Sequence, residues 1–207
     1  MWLFGYGSLV WKPNVPFTEK INGHVKGFVR RFWQRSPDHR GVPERPGRAC
    51  TLVEDNTGTT WGIAYNIPEC EETEVRSYLA WREKAGYQPR FTTFYPAEYE
   101  KREPFEVEVF ISPEDDPNFV GDRESIEDIA NLAVTSVGPS GTNIEYIVRL
   151  AVEIRHLFPD VDDPHLFGLE REVRRLCKQN GISDPSLTHV PGEMPGKDGS
   201  HRKDKGL

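Results

Sequence analysis

The chain has 207 residues, which fits one domain of ordinary size or one domain with a tail. Its formal net charge of -7 argues against a general nucleic-acid or membrane partner, since both need a positive surface. Three widely spaced cysteines without a C-x-x-C motif argue against a disulfide framework and against a zinc finger. The first ten residues are apolar but too few to cross a bilayer, and they lack the basic start of a signal peptide. We therefore expect a soluble, cytoplasmic protein.

The first half of the chain is predicted to form strands. Apolar or alternating runs, separated by turns rich in Pro, Gly, Asp and Asn, span residues 2–6, 25–33, 49–53, 59–67, 91–95 and 105–111. A turn at residues 54–58 is predicted to separate the third run from the fourth. Residues 69–84 change to helical spacing, with Val75 and Leu79 one turn apart.

The last third is predicted to be helical, starting with residues 125–137. The next helix follows a capping box from Thr142 to Glu145, in which the hydroxyl and the carboxylate each accept a backbone N–H. A final helix begins at Asp163, with Pro164 at its first position. Strands followed by helices predict an α+β fold with a mainly antiparallel sheet or small barrel.

The domain is predicted to span residues 1–180. From residue 181 to 207 the chain is rich in Pro, Gly and charge and has almost no large apolar residues. Such a segment buries too little surface to offset the entropy lost on ordering. We therefore predict a disordered tail over residues 181–207.

The tetrapeptide Tyr6-Gly7-Ser8-Leu9 follows the first predicted strand. Two glycines around a tyrosine let the backbone turn sharply and expose successive N–H groups, an arrangement that suits a carboxylate or a developing oxyanion. A tight turn after a buried strand would have the same sequence. Ser140 is not a nucleophile elbow, because Thr142 stands where that motif needs its second glycine.

A basic stretch lies between residues 26 and 48. It contains seven basic residues against two acidic ones, inside a chain that is acidic as a whole. The basic residues are Lys26, Arg30, Arg31, Arg35, Arg40, Arg45 and Arg48. An anion-binding mouth and an ordinary solvated strand face are both compatible with this pattern. Because aromatic residues interleave with the arginines, single-stranded nucleic acid is a third interpretation.

Glu83 continues the edge of the apolar face of the helix predicted over residues 69–84. A carboxylate turned toward a cleft would have a raised pKa and could act as a general base near neutral pH. An ordinary surface acid fits the same spacing, because the chain has 33 acidic residues.

Several short motifs resemble those of one known family. They are Tyr-Gly-Ser-Leu at 6–9, Arg-Phe-Trp-Gln at 31–34, Asp-His-Arg-Gly at 38–41, Pro-Gly-Arg at 46–48, Arg-Glu-Lys at 82–84, and Gly-Pro-Ser-Gly at 138–141 with Asn143 and Glu145-Tyr146. Together, and in this order over about residues 1–178, they resemble the ChaC family of glutathione-specific γ-glutamylcyclotransferases. The early position of the Tyr-Gly-Ser-Leu loop is more similar to the short constitutive branch than to the stress-induced one.

The resemblance implies a γ-glutamylcyclotransferase-like fold, a small β-barrel with flanking helices. It implies cleavage of glutathione to 5-oxoproline and Cys-Gly, with no cofactor and no metal. Separately, we expect a monomer or weak dimer. The resemblance also implies that Glu83 is the catalytic acid/base. The residues implied to hold the γ-glutamyl group are Leu3, Phe4, Gly5, Tyr6, Gly7, Ser8 and Leu9. Tyr146, beside the capped helix, is either a substrate-binding tyrosine or a core tyrosine.

Two other functions remain open at this point. An enzyme of the same fold acting on γ-glutamyl-amino acids or γ-glutamylamines would use the same loop and the same glutamate. A non-enzymatic module with a basic and aromatic surface, binding single-stranded nucleic acid or a peptide, would need no chemistry at all.

Overall fold

The computed structural model describes residues 1–82 and 86–191. Glu83, the predicted acid/base, therefore lies outside the described residues. Five strands form a closed barrel in the order β1-β3-β2-β4-β5. They are β1 (Trp2–Gly5), β2 (Glu19–Ser36), β3 (Gly47–Asn66), β4 (Gln88–Pro96) and β5 (Phe105–Ile111). β5 closes on β1 in parallel, while the other pairs are antiparallel. The predicted α+β fold with a small, mainly antiparallel barrel is confirmed.

The long β2–β3 ribbon corrects one prediction. Residues 54–58 were predicted to form a turn between two strands, but they belong to the continuous strand β3. Lys26 pairs with Thr59 and Phe28 with Glu54, so the extra residues of β3 bulge opposite Gly27, whose φ is +81°. These residues still form a local turn contact, since Asp55 accepts from the backbone N–H and the hydroxyl of Thr57. Pairing on both sides of the bulge keeps the strand continuous.

Four helices follow or interrupt the barrel: α1 (Glu72–Arg82), α2 (Ile126–Ala133), α3 (Asn143–Leu157) and α4 (Pro164–Asn180). A short hairpin, β6 (Val137–Gly138) and β7 (Gly141–Thr142), leads into α3. The helices α2, α3 and α4 pack on the β2–β3 ribbon. One continuous core fills the barrel and this layer, with Leu3 and Val109 inside the barrel and Ile147 and Leu169 on the helices, all fully buried. No described helix is both long and apolar enough to cross a membrane.

The start of α3 confirms half of the predicted capping box. The Thr142 hydroxyl accepts from the backbone N–H of Glu145 at 3.0 Å. The Glu145 carboxylate does not return to the backbone of Thr142. It lies 2.7 Å from Nη1 of Arg40 and 3.2 Å from Nε of Arg149 instead. A nearby guanidinium is a stronger partner for a carboxylate than a backbone amide is.

The segment after α4 corrects the predicted start of the tail. Gly181 ends the helix in the left-handed region, and residues 185–188 form a 3₁₀ turn against α3. Asp184 is buried and accepts from the Thr142 hydroxyl at 2.6 Å. His189 lies 3.2 Å from the Glu153 carboxylate. Residues 181–191 therefore pack with the domain through polar contacts, whereas residues 192–207 lie outside the described residues.

His165 makes the stability of the fold depend on pH. The backbone N–H of Phe32 donates to Nε2 of His165 at 3.0 Å, so that nitrogen must carry no proton. Burial, assisted by the charge of Arg31, lowers the pKa of His165 from 6.5 to about 4, against a smaller opposing effect of Asp163. In the unfolded chain the ring gains its proton below about pH 6.5. Stability is therefore lost as the pH falls from about 6.5 toward 4.

We expect His165→Gln to flatten this dependence, because glutamine can still accept from Phe32 but does not titrate. Between pH 7 and pH 5 the histidine should account for at most about 2 kcal/mol of the loss in unfolding free energy. Urea unfolding of both proteins at the two pH values measures the difference. Equal losses in the two proteins would show that the pKa of His165 is the same in the folded and the unfolded chain.

Candidate active site

A cavity of about 400 Å³ opens at the end of the barrel where β1 stops. That volume is within the range of small-molecule binding sites. Its lining comes from parts of the chain far apart in sequence: Phe4, Tyr6, Gly7, Ser8, Leu9, Lys12, Asn14, Arg35, Ser36, Asp38, His39, Arg40, Ala49, Cys50, Tyr78, Leu79, Tyr87, Phe110, Pro139, Ser140 and Tyr146. The barrel, α1, α3 and the hairpin before α3 thus converge on one space.

The Tyr6–Leu9 loop forms one wall of this cavity. Its backbone turns into a short 3₁₀ segment, with Val10 donating to the carbonyl of Gly7 at 3.0 Å. The Tyr6 hydroxyl donates to the Phe110 carbonyl at 2.6 Å, which ties the loop to β5. The loop is therefore both a tight turn and a cavity wall, so the two interpretations of its sequence are compatible.

The other predicted residues of this segment divide between the wall and the core. Phe4 lines the cavity as Tyr6–Leu9 do, but Leu3 and Gly5 do not. Leu3 is fully buried in the barrel. Gly5 backs on to the loop itself, since a Cβ at Gly5 would lie 2.7 Å from Cβ of Leu9. Gly5 thus packs directly behind the loop, whereas Leu3 belongs to the core of the barrel.

Gly7 lies against two buried groups. The Tyr146 hydroxyl and the Cys50 sulfur are 3.2 Å apart, and both side chains are buried. A Cβ on Gly7 would stand 2.9 Å from the Tyr146 oxygen and 3.0 Å from the Cys50 sulfur. Burial raises the pKa of the Cys50 thiol to about 11 and holds the pKa of Tyr146 well above its ordinary range. Both groups are therefore neutral, and Tyr146 belongs to the core and to the cavity lining at once.

The segment that contains His39 meets the hairpin before α3 on the opposite side. Nδ1 of His39 lies 3.1 Å from the Ser140 hydroxyl, and the Ser140 backbone N–H donates to the His39 carbonyl at 3.0 Å. Gly138 permits this approach, because a Cβ there would lie 2.2 Å from the same carbonyl oxygen. Two motifs a hundred residues apart in the sequence thus form one surface. Sequence reasoning assigned no role to His39 or Ser140.

Buried arginines hold this side of the cavity in place. Arg30 pairs with Asp163, Arg48 with Glu124 and Arg40 with Glu145, and all three arginines are buried. Three of the seven basic residues of the stretch are therefore structural, whereas Arg35 lines the cavity. This corrects the interpretation of those three as part of a solvated or anion-binding face. The correction has a simple cause, since each buried guanidinium needs a carboxylate partner from a distant element.

Two cations of the cavity lining, unlike the buried arginines, have no carboxylate partner among the described residues. Lys12, partly buried, and Arg35, exposed, form no ion pair with any described residue. Both line the cavity, together with Asp38. Unpaired cations at a cavity attract an anionic ligand. No described group of three or more His, Cys, Asp or Glu side chains is arranged to hold a metal ion.

The position of Glu83 in the chain is bracketed by residues of the cavity. Tyr78 and Leu79 of α1 come before it, Tyr87 comes after it, and all three line the space. The Tyr87 hydroxyl donates to the Cys50 carbonyl at 2.9 Å. Its predicted catalytic role stays a prediction, since Glu83 itself lies outside the described residues.

Comparison with known proteins agrees with the fold and the motifs. The family model described as ChaC-like protein matches residues 1–176. The chain is 42% identical to glutathione-specific gamma-glutamylcyclotransferase 1 of Danio rerio over 82% of this chain and 87% of that protein. It is 36% identical to glutathione-specific gamma-glutamylcyclotransferase of Schizosaccharomyces pombe over 86% of this chain and 95% of that protein.

A solved structure shows the same architecture. The crystal structure of the yeast gamma-glutamyl cyclotransferase specific to glutathione superimposes with a TM-score of 0.75 at 30% identity. The match covers 85% of this chain and 98% of the yeast chain. Assignment to the short constitutive branch stays a prediction. By family model, sequence identity and fold, the chain belongs to the ChaC-like family.

Proposed function

We propose that this protein cleaves glutathione by cyclising its γ-glutamyl group to 5-oxoproline and releasing Cys-Gly. The main support for the proposal is that the Tyr6–Leu9 loop, the His39 segment and the hairpin around Ser140 line the same cavity. These are the segments whose motifs resemble the family, and relatives at 36–42% identity are named for this activity.

The reaction needs no nucleophile from the protein. The α-amino group of the substrate attacks its own γ-carbonyl, a five-membered lactam closes, and the Cys-Gly nitrogen leaves. Holding the γ-glutamyl arm folded for attack supplies several kcal/mol, within the roughly 7–11 kcal/mol available to well-oriented intramolecular reactions. A cavity lined by barrel strands and by helices suits that task.

The charges of the lining match the substrate. Glutathione carries two carboxylates and one ammonium, and the cavity offers Lys12 and Arg35 without ion-pair partners among the described residues, together with Asp38. Backbone N–H groups at Gly7 and Ser8 are proposed to stabilise the tetrahedral oxyanion, an effect worth about 3–4 kcal/mol per good donor. Glu83 is proposed to take a proton from the α-ammonium so that the amine can attack.

We further propose a cytoplasmic location and a monomer or weak dimer. The three cysteines are all free, which fits a reducing compartment. Size-exclusion chromatography with light scattering across a range of concentrations tests the oligomeric state.

A substrate comparison tests the specificity. We expect 5-oxoproline release from glutathione to exceed release from γ-glutamyl-alanine by at least about tenfold in kcat/KM, because the second carboxylate of the dipeptide lies one residue closer to the scissile bond than the glycyl carboxylate of glutathione does. Equal or faster turnover of γ-glutamyl-alanine would assign the protein to the γ-glutamyl-amino acid enzymes of the same fold. Salt-sensitive binding of an oligonucleotide with turnover of neither compound would support the binding-module alternative.

A further inference from the structure

We propose that His39 is a second catalytic residue, the general acid that protonates the Cys-Gly nitrogen as it leaves. The inference rests on the proposed function and adds a residue to the same site. Lactam formation moves protons at two different nitrogens: the α-ammonium gives up two protons on its way to the lactam N–H, and the departing nitrogen must gain one. Glu83 is proposed to accept the protons from the attacking nitrogen one at a time and to pass each to solvent. A separate proton donor for the departing Cys-Gly nitrogen lets Glu83 act only as the base.

The described lining offers few groups able to donate a proton near neutral pH. Burial raises the pKa of Cys50 to about 11 and holds that of Tyr146 well above its ordinary range, so neither is an acid of suitable strength. The Tyr6 and Tyr87 hydroxyls already donate to backbone carbonyls. Guanidinium and ammonium groups keep their protons. An imidazole both gives and takes a proton in this range, and His39 is the histidine of the described lining.

The ring is held in a fixed orientation. The Ser140 hydroxyl lies 3.1 Å from Nδ1, and the backbone of His39 is clamped by the Ser140 N–H and by close contact with Gly138. On the other edge, Oδ2 of Asp38 lies 3.9 Å from Nε2. The Arg40–Glu145 ion pair fixes the following residue. A general acid must be positioned in this way for its proton to reach the leaving atom.

The order Ser140, His39, Asp38 resembles a hydrolytic triad, but the chemistry differs. We assign Ser140 to positioning, because the substrate supplies its own nucleophile. In the proposed step the C–N bond breaks, its electron pair stays on the departing nitrogen, and that nitrogen takes the proton from Nε2. The lactam carbonyl re-forms, the imidazole is left neutral, and solvent returns its proton.

The test compares substrates that differ in their need for an acid. For glutathione, whose leaving amine is basic, we expect His39→Gln to lower kcat by about 100-fold with little change in KM. For γ-glutamyl-p-nitroanilide, whose electron-poor leaving nitrogen depends much less on protonation, we expect a loss of less than about fivefold. Ser140→Ala should lower kcat for glutathione about tenfold, since it loosens the ring without removing the donor. His156→Gln, at an exposed position on α3, is the matched control.

A pH profile provides a second measurement that does not depend on the anilide. The wild-type kcat/KM for glutathione should fall at alkaline pH as the acid loses its proton, and His39→Gln should lack that limb. The charged groups around the ring, Asp38, Lys12, Arg35 and Arg40, remain in both proteins. Equal losses on both substrates, or an unchanged alkaline limb, would overturn the inference. If the wild type itself releases no 5-oxoproline from glutathione, the proposed function fails instead.

Discussion

Replacing Glu83 with glutamine is expected to lower kcat for glutathione by about 10²–10⁴-fold, the usual contribution of a general base. Glutamine keeps the size and shape of the side chain but cannot take the proton from the α-ammonium. Glutathione binding should survive, because the cations and the backbone groups proposed to hold the substrate are unchanged. Turnover followed as 5-oxoproline release, with binding measured by calorimetry, separates the two effects.

The matched control is Glu98→Gln, an exposed glutamate on a short 3₁₀ turn that does not line the cavity. It should retain full activity and the same melting temperature. Near-normal activity of Glu83→Gln would remove this residue from the mechanism and would make Asp38, the carboxylate of the described lining, the next candidate for the base.

Replacing Gly7 with valine is expected to reduce activity by at least about 100-fold, since misplacing a reacting group by about 1 Å costs that much. Even a single Cβ would lie 2.9 Å from the Tyr146 hydroxyl and 3.0 Å from the Cys50 sulfur, closer than normal packing permits. Both neighbours are buried on rigid elements, so the loop must move instead. Steady-state kinetics on glutathione, with circular dichroism to check the fold, measures the effect.

A compensating variant shows whether this contact is the cause. Gly7→Ala adds only the Cβ, and Cys50→Ala removes the sulfur it would meet, so the double variant should regain part of the activity that Gly7→Ala loses. Ser8→Ala should cost little, because the backbone N–H at that position matters more than the hydroxyl. A fully active Gly7→Val would mean that the loop supports the barrel without touching the reaction.

The sequence correctly predicted the strands and helix ends that are determined by neighbouring residues. The alternation of residues 105–111 predicted β5 to the residue, and Asp163 with Pro164 predicted the start of α4, where Asp163 accepts from the N–H of Leu166. Predictions were wrong where the local structure depends on a partner far away in the sequence. The turn at 54–58 is a bulge because β2 pairs on both sides of it. Glu145 leaves its capping box because Arg40, more than a hundred residues earlier, binds it more strongly.

The same distinction holds for the site. The Tyr6–Leu9 loop could be identified from its glycines, since their effect on the backbone is local. The pairing of His39 with Ser140 could not, because it spans 101 residues and depends on Gly138 letting two backbones approach. The burial of Arg30 and Arg48 could not be predicted from the basic stretch for a related reason. The carboxylates that pair with them lie far away in the sequence and come close only in the folded chain.

The products of glutathione cleavage test the central proposal most directly. The purified protein is incubated with reduced glutathione and a chelator, and the products are followed by mass spectrometry. The proposed mechanism predicts 5-oxoproline and Cys-Gly in equal amounts, because the substrate amine is the nucleophile. Free glutamate in place of 5-oxoproline would make water the nucleophile and would contradict the mechanism, while release of neither would contradict the proposed function.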